Sequence, residues 1–323
     1  MDEPKGAVEF TCVRPTGEFR GGEDLCAAMA PALVRPIAKE KESRTLPSFF
    51  IVGPPRTGSS WLHHVLDQHT LLPGPSKETR FFDAHFHKGV KWYLAHYRYE
   101  ESQGRRIGEV APTYFASAVA RERMAQLLPS ARIVCVFRNP VDRIVSLYRL
   151  KRAYGFIPWS FEEAVQRDPE LMETGRYASH LKLWQRSFGA ANVHSCIYDD
   201  LRTDPQGFLD EVLDFIGVPR FALTAWQRGF VHGSEKMTHP RNYYGTRSAT
   251  LVADWLKARR MDRIVSAFKR SPMCKLVLGG GPPFPNMSRE VLRQMSEIFE
   301  PKIEELEDLL KRDLSAWKIR QSA

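Results

Sequence analysis

The alternation of apolar and polar residues along the chain predicts strands and helices in turn. Three runs predict strands: Phe49–Val52, Ala131–Phe137 and Val193–Tyr198. The second is nearly continuous in apolar residues, as expected for a strand buried on both faces of a parallel sheet. A shorter run, Arg106–Val110, predicts a further strand. Because strands that alternate with helices form parallel sheets covered on both faces, the pattern predicts a three-layer α/β/α fold with a central parallel sheet.

The helices are predicted from apolar residues at helical spacing and from capping residues at their ends. The helix after the second strand run has the clearest limits, because Asn139 is a favoured N-cap, Pro140 a favoured first residue and Gly155 a favoured stop. Further helices are predicted at about 58–69, 89–98, 116–128, 160–167, 174–187, 205–216 and 287–310, the last one kinked or divided at Pro301.

Two stretches do not follow this pattern. Residues 1–46 mix proline, glycine and charge, so we expect an N-terminal extension in which only Leu25–Ile37 can form a short helix. We expect residues 47–323 to form a single domain. Within it, residues 222–285 are predicted to be a long lid or substrate region, because Val231–Arg247 is polar, basic and aromatic and is typical of a long loop.

Composition and net charge limit the kinds of binding partner that we expect for the chain. Of the 323 residues, 43% are hydrophobic and 26% charged, which is ordinary for a globular protein, and the net charge of +9 favours an anionic partner. Nucleic acid, a membrane surface, a phosphorylated cofactor and an acidic glycan all satisfy that charge. Arginine is spread along the chain without a basic tail, which weakens the nucleic-acid and membrane alternatives.

The five cysteines indicate neither a disulfide framework nor a zinc site, because they are odd in number, far apart and never in a Cys-x-x-Cys pair. The N-terminal residues do not show the basic start and following apolar segment of a secretory signal peptide. No apolar run has the length of a membrane span. We therefore expect a soluble cytoplasmic enzyme.

The junction after the first strand has the composition of an anion-binding loop. Residues 53–61 read Gly-Pro-Pro-Arg-Thr-Gly-Ser-Ser-Trp and lead into a helix, whose unpaired N–H groups and positive dipole end favour phosphate or sulfate. The two glycines have the spacing of a nucleoside-triphosphate loop, but Ser59 and Ser60 stand where Lys and Ser/Thr are expected. The cation lies inside the loop as Arg56, which indicates an anionic nucleotide other than ATP.

A second cation follows the second strand. Ligands of open parallel sheets bind beyond the carboxyl ends of the strands, where both Arg56 and Arg138 fall, so the two cations can hold two separate phosphates. Ser146 lies two turns further on and can add a hydroxyl contact. Glu78 lies between Lys77 and Arg80, so we expect an ionised carboxylate that can act as a general base near an acceptor.

These segments resemble the PAPS-dependent sulfotransferases. Pro55–Trp61 resembles their 5′-phosphosulfate loop, and Arg138–Tyr148 resembles their 3′-phosphate motif, in the same order along the chain. Lys77–Phe82 is similar to the Lys-Glu-x-x-Phe-Phe segment of the heparan-sulfate (glycosaminoglycan) branch, and Glu109–Tyr114 resembles its Glu-Lys-x-Pro-x-Tyr segment. Asp313–Trp317 resembles the ending of bacterial members.

The resemblance implies a P-loop-like strand-loop-helix nucleotide site, PAPS as co-substrate and no metal. It implies that Arg56 neutralises charge on the bridging oxygen, that Arg138 and Ser146 hold the 3′-phosphate, and that Glu78 takes the proton of the acceptor hydroxyl or amine. The 5′-phosphate would be bound by the backbone amides of Thr57, Gly58, Ser59 and Ser60.

The chain departs from the family pattern in three places. Arg56 replaces the usual lysine, which keeps the charge but cannot donate a proton as an acid. Val110 replaces another lysine. Residues 222–285 show no recognisable phosphate lid, although three basic residues there are candidates for one: Lys236, Arg241 and Arg247.

Alternatives remain open for the base and for the function. Other branches of the family use a histidine base, and four histidines lie near Glu78 in sequence: His63, His64, His85 and His87. A P-loop kinase is disfavoured by the missing lysine of the triphosphate loop and by the lack of an acidic strand end for Mg²⁺. A basic nucleotide- or glycan-binding protein without turnover would retain Arg138 but not need Glu78. The acceptor, a glycan or a small molecule, and the oligomeric state are left open.

Overall fold

The computed structural model describes residues 46–99, 104–229, 238–258, 261, 264–265, 267–268 and 281–318. Contacts divide the chain after residue 44, so all described residues belong to the second of two units. The extension is predicted over residues 1–46, of which only residue 46 is described. The predicted helix Leu25–Ile37 therefore lies outside the described residues. The division into an extension and one domain stays a prediction.

Four parallel strands form the central sheet. They are β1 (Phe49–Ile51), β2 (Gly108–Val110), β3 (Arg132–Phe137) and β4 (Val193–Ile197), in the spatial order β2-β1-β3-β4. All four predicted strands are confirmed. Almost every residue of β1, β2 and β3 is buried, as expected for parallel strands covered on both faces.

Helices connect and cover the strands. In the described part of the chain they are α1 (Ser59–Leu66), α2 (Gly89–Leu94), α3 (Ala118–Leu127), α4 (Pro140–Ala153), α5 (Phe161–Arg167), α6 (Pro169–Glu173), α7 (Tyr177–Phe188), α8 (Tyr198–Thr203), α9 (Pro205–Ile216), α10 (Ala225–Gly229), α11 (Tyr243–Ala258) and α12 (Arg289–Leu310). Single helical turns lie at Phe81–His85, Phe86–Lys88, Pro112–Tyr114, Ala190–Asn192 and Ser315–Trp317. None of the described helices combines the length and the apolar composition of a membrane span.

The predicted capping residues start the helices that follow β3 and α8. Asn139 Oδ1 accepts hydrogen bonds from the N–H groups of Val141 (2.9 Å) and Asp142 (3.4 Å). Asp204 Oδ1 accepts one from the N–H of Gly207 at 3.0 Å. Proline occupies the first turn in both cases, where its missing N–H costs no hydrogen bond.

The hydrophobic core lies on both faces of the sheet. On one face α1 and α9 pack together through large apolar side chains: Trp61, Leu62, Val65, Leu66, Phe208, Leu209, Val212, Leu213 and Ile216. On the other face α7 packs against β3, with the rings of Tyr177 and Phe137 5.0 Å apart. The predicted three-layer α/β/α architecture is therefore confirmed.

The structure corrects two predicted elements. The strand predicted to reach Tyr198 ends at Ile197, and Tyr198 begins α8, whose first turn carries two aspartates that suit a helix N-terminus. The loop predicted over Val231–Arg247 is wrong from Tyr243 onward. There α11 begins after Asn242, whose Oδ1 accepts the N–H of Gly245 at 3.1 Å.

Helix α12 runs through Pro301 as one helix, so of the two alternatives predicted there the division is excluded. Met295 and Phe299 before the proline, and Ile303 and Leu306 after it, are buried along one face of the helix. Packing along the whole stripe therefore compensates for the hydrogen bond that proline cannot donate.

Candidate active site

Two glycines fix the path of the loop between β1 and α1. A Cβ on Gly53 would lie 2.5 Å from the backbone nitrogen of Val136, so the loop passes β3 at a distance that only glycine allows. Gly58 has a φ of 95°, and a Cβ there would lie 2.9 Å from Leu201 Cδ2. The loop is closed by Thr57, whose Oγ1 donates to the Pro54 carbonyl at 2.8 Å.

Arg56 joins the two predicted phosphate-binding motifs. It has a φ of 77°, a left-handed conformation that residues other than glycine seldom adopt. Its Nε donates to Ser146 Oγ on α4 at 2.8 Å, and its carbonyl accepts a long hydrogen bond of 3.5 Å from Arg138. Burial lowers the pKa of Arg56, and the neighbouring Arg138 guanidinium lowers it further.

Arg138 is held at the carboxyl end of β3 by three elements. Its guanidinium lies 4.9 Å from the ring centre of Tyr198 on α8 and 3.9 Å from the Asp142 carboxylate on α4. Its carbonyl accepts a hydrogen bond from the Tyr177 hydroxyl on α7 at 2.9 Å. The sequence analysis missed Tyr198, because that residue was assigned to a strand.

The C-terminal motif closes against the same end of the sheet. The Asn139 side chain donates to the Trp317 carbonyl at 3.3 Å, and the Trp317 indole donates to the Asp199 carboxylate at 2.6 Å. Arg312 makes two hydrogen bonds of 2.6 Å to the carboxylate of Asp200. The tail therefore braces the starts of α4 and α8, on either side of Arg138.

Glu78 is a largely buried carboxylate. Its Oε1 lies 3.9 Å from Lys77 Nζ, and its Oε2 accepts a hydrogen bond of 3.2 Å from Thr113. Burial raises the pKa of Glu78, while Lys77, the Thr113 hydroxyl and Arg80 lower it by smaller amounts. The sequence analysis considered only the effect of the neighbouring charges on this pKa. In the structure burial has the larger effect, and the raised pKa makes the carboxylate a stronger base.

Lys77 contacts both the loop and Glu78. Its Nζ donates to the hydroxyl of Ser59, the first residue of α1, at 3.2 Å. Burial lowers the pKa of Lys77; Glu78 raises it and Arg56 lowers it. The sequence analysis treated this lysine only as a neighbour of Glu78. The sequence did not predict its contact with Ser59, because the two residues are 18 positions apart and only the folded chain brings them together.

The buried carboxylate of Glu109 fixes the backbone beside Glu78. Its Oε1 accepts hydrogen bonds of 2.8 Å from both the N–H and the hydroxyl of Thr79. Its Oε2 accepts one from Tyr93 at 2.9 Å, and Tyr114 donates to Oε1 at 3.3 Å. Burial raises the pKa of Glu109 to about 7. The segment resembling Glu-Lys-x-Pro-x-Tyr thus positions the residue next to Glu78.

A cavity of about 280 Å³ brings most of these groups together. From the loop and the segments beside it, the lining residues are Arg56, Ser59, Ser60, Lys77, Glu78 and Thr113. From α4 and the elements that follow it, they are Leu147, Leu150, Lys151, Tyr154, Phe156 and Glu170. Four predicted site residues are not part of this lining: Thr57, Gly58, Arg138 and Ser146.

None of the four alternative histidines, all within the described part of the chain, lines this cavity. Burial lowers the pKa of His63 to about 4. The ring of His64 contacts Trp226, and the ring of His85 contacts Trp92.

The sequence also predicted three basic residues as candidates for a phosphate lid: Lys236, Arg241 and Arg247. Lys236 lies outside the described residues, Arg241 is exposed, and Arg247 makes a 3.5 Å hydrogen bond to the Gly155 carbonyl.

Comparison with known proteins identifies the relatives of this chain. The family model described as "Sulfotransferase domain" matches residues 46–239. Human bifunctional heparan sulfate N-deacetylase/N-sulfotransferase 2 is 27% identical over 80% of this chain and 32% of its own length. The mouse N-deacetylase/N-sulfotransferase 1 is 32% identical over 56% of this chain and 23% of its own. The chain therefore spans a third or less of these relatives.

A solved structure supports the fold assignment. A sulfotransferase from Alicyclobacillus acidocaldarius superposes with a TM-score of 0.58 and 22% identity, covering 84% of this chain and 98% of that one. At this identity the likeness concerns the fold alone.

Proposed function

The chain belongs to the sulfotransferase domain family, and from that premise we propose that it transfers the sulfuryl group of PAPS to an acceptor hydroxyl or amine and releases adenosine 3′,5′-bisphosphate. The donor supplies an activated sulfuryl group on its 5′-phosphate. The observation that carries the proposal is that Arg56, Ser59 and Glu78 line one cavity, while Arg56 is hydrogen-bonded to Ser146 of the second phosphate motif.

The arginine pair suits a ligand with two anionic groups. Arg56 and Arg138 lie close enough for Arg138 to lower the pKa of Arg56, so the two cations repel each other in the unliganded protein. An anion bound between them relieves that repulsion. In this proposal the backbone of residues 57–60 binds the 5′-phosphate at the start of α1, and Arg138 with Ser146 binds the 3′-phosphate.

Glu78 is the base in this proposal. It takes the proton from the acceptor as the acceptor oxygen or nitrogen bonds to sulfur and the bond from sulfur to the bridging oxygen breaks. Its place in the cavity supports this role, since a general base must reach the reacting proton. The Thr113 hydrogen bond and the Glu109–Thr79 network hold it in position.

Arg56 and Lys77 stabilise the charge that develops on the leaving phosphate. Arg56 supplies a permanent charge, and Lys77 supplies a cation that can also donate a proton, which a guanidinium cannot do at neutral pH. The hydrogen bond from Lys77 to Ser59 places this ammonium at the start of α1. In this proposal Lys77 supplies the proton-donating cation that Arg56 cannot supply.

The acceptor class is proposed at the coarse level of a hydroxyl or amine on a glycan or a small molecule. The curated relatives are named as bifunctional heparan sulfate N-deacetylase/N-sulfotransferases, and this chain spans only 32% of the human one. We also propose that residues 47–323 form one sulfotransferase domain, an extent that includes nearly all of the matched range of 46–239.

The direct experiment is a transfer assay with ³⁵S-labelled PAPS and a panel of hydroxyl and amine acceptors, without added metal. We expect label on an acceptor and equimolar adenosine 3′,5′-bisphosphate. A kinase would instead transfer phosphate from ATP–Mg²⁺ in a parallel assay. A protein that only binds nucleotide or glycan would release no adenosine bisphosphate, and either result would overturn the proposal.

A further inference from the structure

Helix α11 carries large apolar side chains that remain exposed to solvent. They are Tyr244 (78% exposed), Leu251 (53%), Val252 (55%) and Trp255 (56%). At 3.6 residues per turn, these four positions fall within an arc of about 100° on the helix surface. Ser248, which falls in the same arc, is small and uncharged. This side of α11 is therefore apolar, whereas a helix face exposed to water is normally polar.

The opposite side of α11 faces the domain. Thr246 is buried, and Thr250 Oγ1 donates a hydrogen bond of 3.0 Å to the Tyr154 carbonyl at the end of α4. A Cβ on Gly155 would lie 2.8 Å from the backbone nitrogen of Arg247, so the helix packs directly on the end of α4. Because these contacts hold one side of α11, its apolar side points away from α4.

The chain around α11 is strongly basic. Residues 241–270 contain eight lysines and arginines and two aspartates, which gives a net charge of +6 in a chain whose total is +9. The sequence analysis disfavoured a membrane surface because the chain has no basic tail, but this internal segment concentrates most of the net charge. A basic segment that includes a helix with an exposed apolar side is typical of binding to an anionic membrane surface.

Charge and apolar surface together distinguish the possible partners. Nucleic acids and acidic glycans are anionic, but neither offers hydrocarbon to Leu251 and Val252. A second copy of the chain offers an apolar surface, but a symmetric contact through α11 would bring two segments of charge +6 together. An anionic membrane offers both acidic headgroups and hydrocarbon, and tyrosine and tryptophan favour the boundary between them.

We propose that α11 binds the domain to the surface of a membrane that contains anionic lipids. Four side chains insert at the boundary between headgroups and acyl chains: Tyr244, Leu251, Val252 and Trp255. The lysines and arginines of residues 241–270 contact the acidic headgroups. None of these four side chains lines the cavity, so membrane binding does not depend on the proposed sulfuryl transfer.

Flotation with large unilamellar vesicles tests the lipid partner. One set of vesicles contains phosphatidylcholine with about one third phosphatidylserine, and the other contains phosphatidylcholine alone. We expect the whole chain to bind the first set at least about tenfold more tightly, because acidic headgroups attract the basic segment. Raising the salt concentration from about 0.1 M to about 0.5 M should weaken this binding. Equal binding to both sets, or binding to neither, would overturn the proposal.

Variants test whether α11 is the membrane-binding element. Val252→Glu should weaken binding to the anionic vesicles by about tenfold, because it puts a carboxylate on the apolar side, and Trp255→Ala should weaken it by roughly fivefold. Val119→Glu is the matched control, since Val119 is a valine of α3 that is also exposed, at 47%. The thermal midpoints of all three variants should stay close to that of the wild type, because the replaced side chains are exposed.

The same variants give the results that would contradict this role of α11. Unchanged vesicle binding in Val252→Glu and Trp255→Ala, or equal losses in Val252→Glu and Val119→Glu, would overturn the proposal. Light scattering without lipid should show the same oligomeric state in the wild type and Val252→Glu. A wild-type dimer that Val252→Glu dissociates would assign the apolar side to a second copy, and tighter binding of a DNA duplex than of anionic vesicles would assign the charge to nucleic acid. Either result would overturn the proposal and leave the proposed sulfuryl transfer unaffected.

Discussion

Arg56 and Lys77 bring two cations of different chemistry to the same cavity. Arg56 keeps its charge at every physiological pH, even though burial and Arg138 lower its pKa. Lys77 can lose its proton, and burial lowers its pKa from the ordinary value of 10.5. At the scale of single residues, the fall of the transfer rate on the alkaline side of the pH–rate profile should therefore come from deprotonation of Lys77.

Replacing Lys77 tests this assignment. Lys77→Met should lower kcat by about tenfold to a hundredfold, because one charge that faces the leaving phosphate is lost. Lys77→Arg should recover part of kcat and move the alkaline limb of the pH–rate profile upward, since arginine does not titrate there. Profiles of kcat/KM from pH 6 to 10 measure both effects. An unchanged alkaline limb in Lys77→Arg would assign that limb to another group.

Glu78→Gln should bind adenosine 3′,5′-bisphosphate normally and lose turnover by roughly 10²- to 10⁴-fold, the usual contribution of a general base. The wild-type rate should fall as the pH drops through the pKa of Glu78, which burial raises above its ordinary 4.5. Glu297→Gln, on the exposed face of α12, is the matched control. Activity retained in Glu78→Gln would place the base elsewhere, with the histidines as the next candidates.

Arg138→Ala should weaken adenosine 3′,5′-bisphosphate binding by about tenfold to a hundredfold, as expected for the loss of charge-assisted hydrogen bonds to a phosphate. The same variant should bind adenosine 5′-phosphate, which lacks the 3′-phosphate, with little change. Calorimetry compares the two ligands, and Arg293→Ala on the surface of α12 serves as the control. Equal losses for both ligands would mean that Arg138 supports the fold rather than the 3′-phosphate.

At the scale of elements, β2 and the following turn position the segment that carries Lys77 and Glu78. The link is the Glu109 carboxylate, which accepts hydrogen bonds from Thr79 and Tyr93 while fully buried. Burial raises its pKa to about 7, well above that of an unfolded glutamate. Its contribution to stability is therefore complete below about pH 4.5 and is lost as the pH rises through about 7.

Glu109→Gln removes this titration while keeping a side chain that can accept from Thr79. Between pH 5 and pH 8 the free energy of unfolding of the wild type should fall by roughly 2–3 kcal/mol more than that of the variant. Urea titrations of both proteins at the two pH values give the difference. Identical pH dependence in the two proteins would mean that Glu109 does not titrate in this range.

The sequence predicted well what depends on local pattern. The four strands and the N-caps Asn139 and Asp204 are encoded in short segments, and the family match confirms the sulfotransferase assignment. Helix α11 was missed because Asn242 starts it within a polar stretch that has no clear apolar period.

Contacts between residues far apart in the sequence, and the burial they produce, could not be predicted from the sequence. The hydrogen bond between Arg56 and Ser146 joins residues 90 positions apart, and the pKa of Glu78 depends on burial that several elements produce together. That Tyr154 and Phe156 line the cavity likewise depends on where the end of α4 lies relative to the loop. The roles of these residues, the lid and the cytoplasmic location stay predictions.

At the scale of the whole molecule, the fold places the loop after β1 and the start of α4 at the carboxyl ends of the two inner strands, and the cavity that Glu78 lines lies beside that loop. The loop after β1 and the start of α4 meet through the contacts of Arg56 with Ser146 and Arg138. One ligand with phosphates at both ends should therefore bind both motifs at once, and its affinity should exceed that of either half alone.

Isothermal titration calorimetry of the wild-type protein with adenosine 3′,5′-bisphosphate, in the presence of EDTA, tests this central claim most directly. We predict one site per chain, binding that does not need metal, and an affinity at least about tenfold higher than for adenosine 5′-phosphate, since the 3′-phosphate adds charge-assisted hydrogen bonds. Binding of ATP–Mg²⁺ that is tighter than binding of adenosine 3′,5′-bisphosphate would contradict the account.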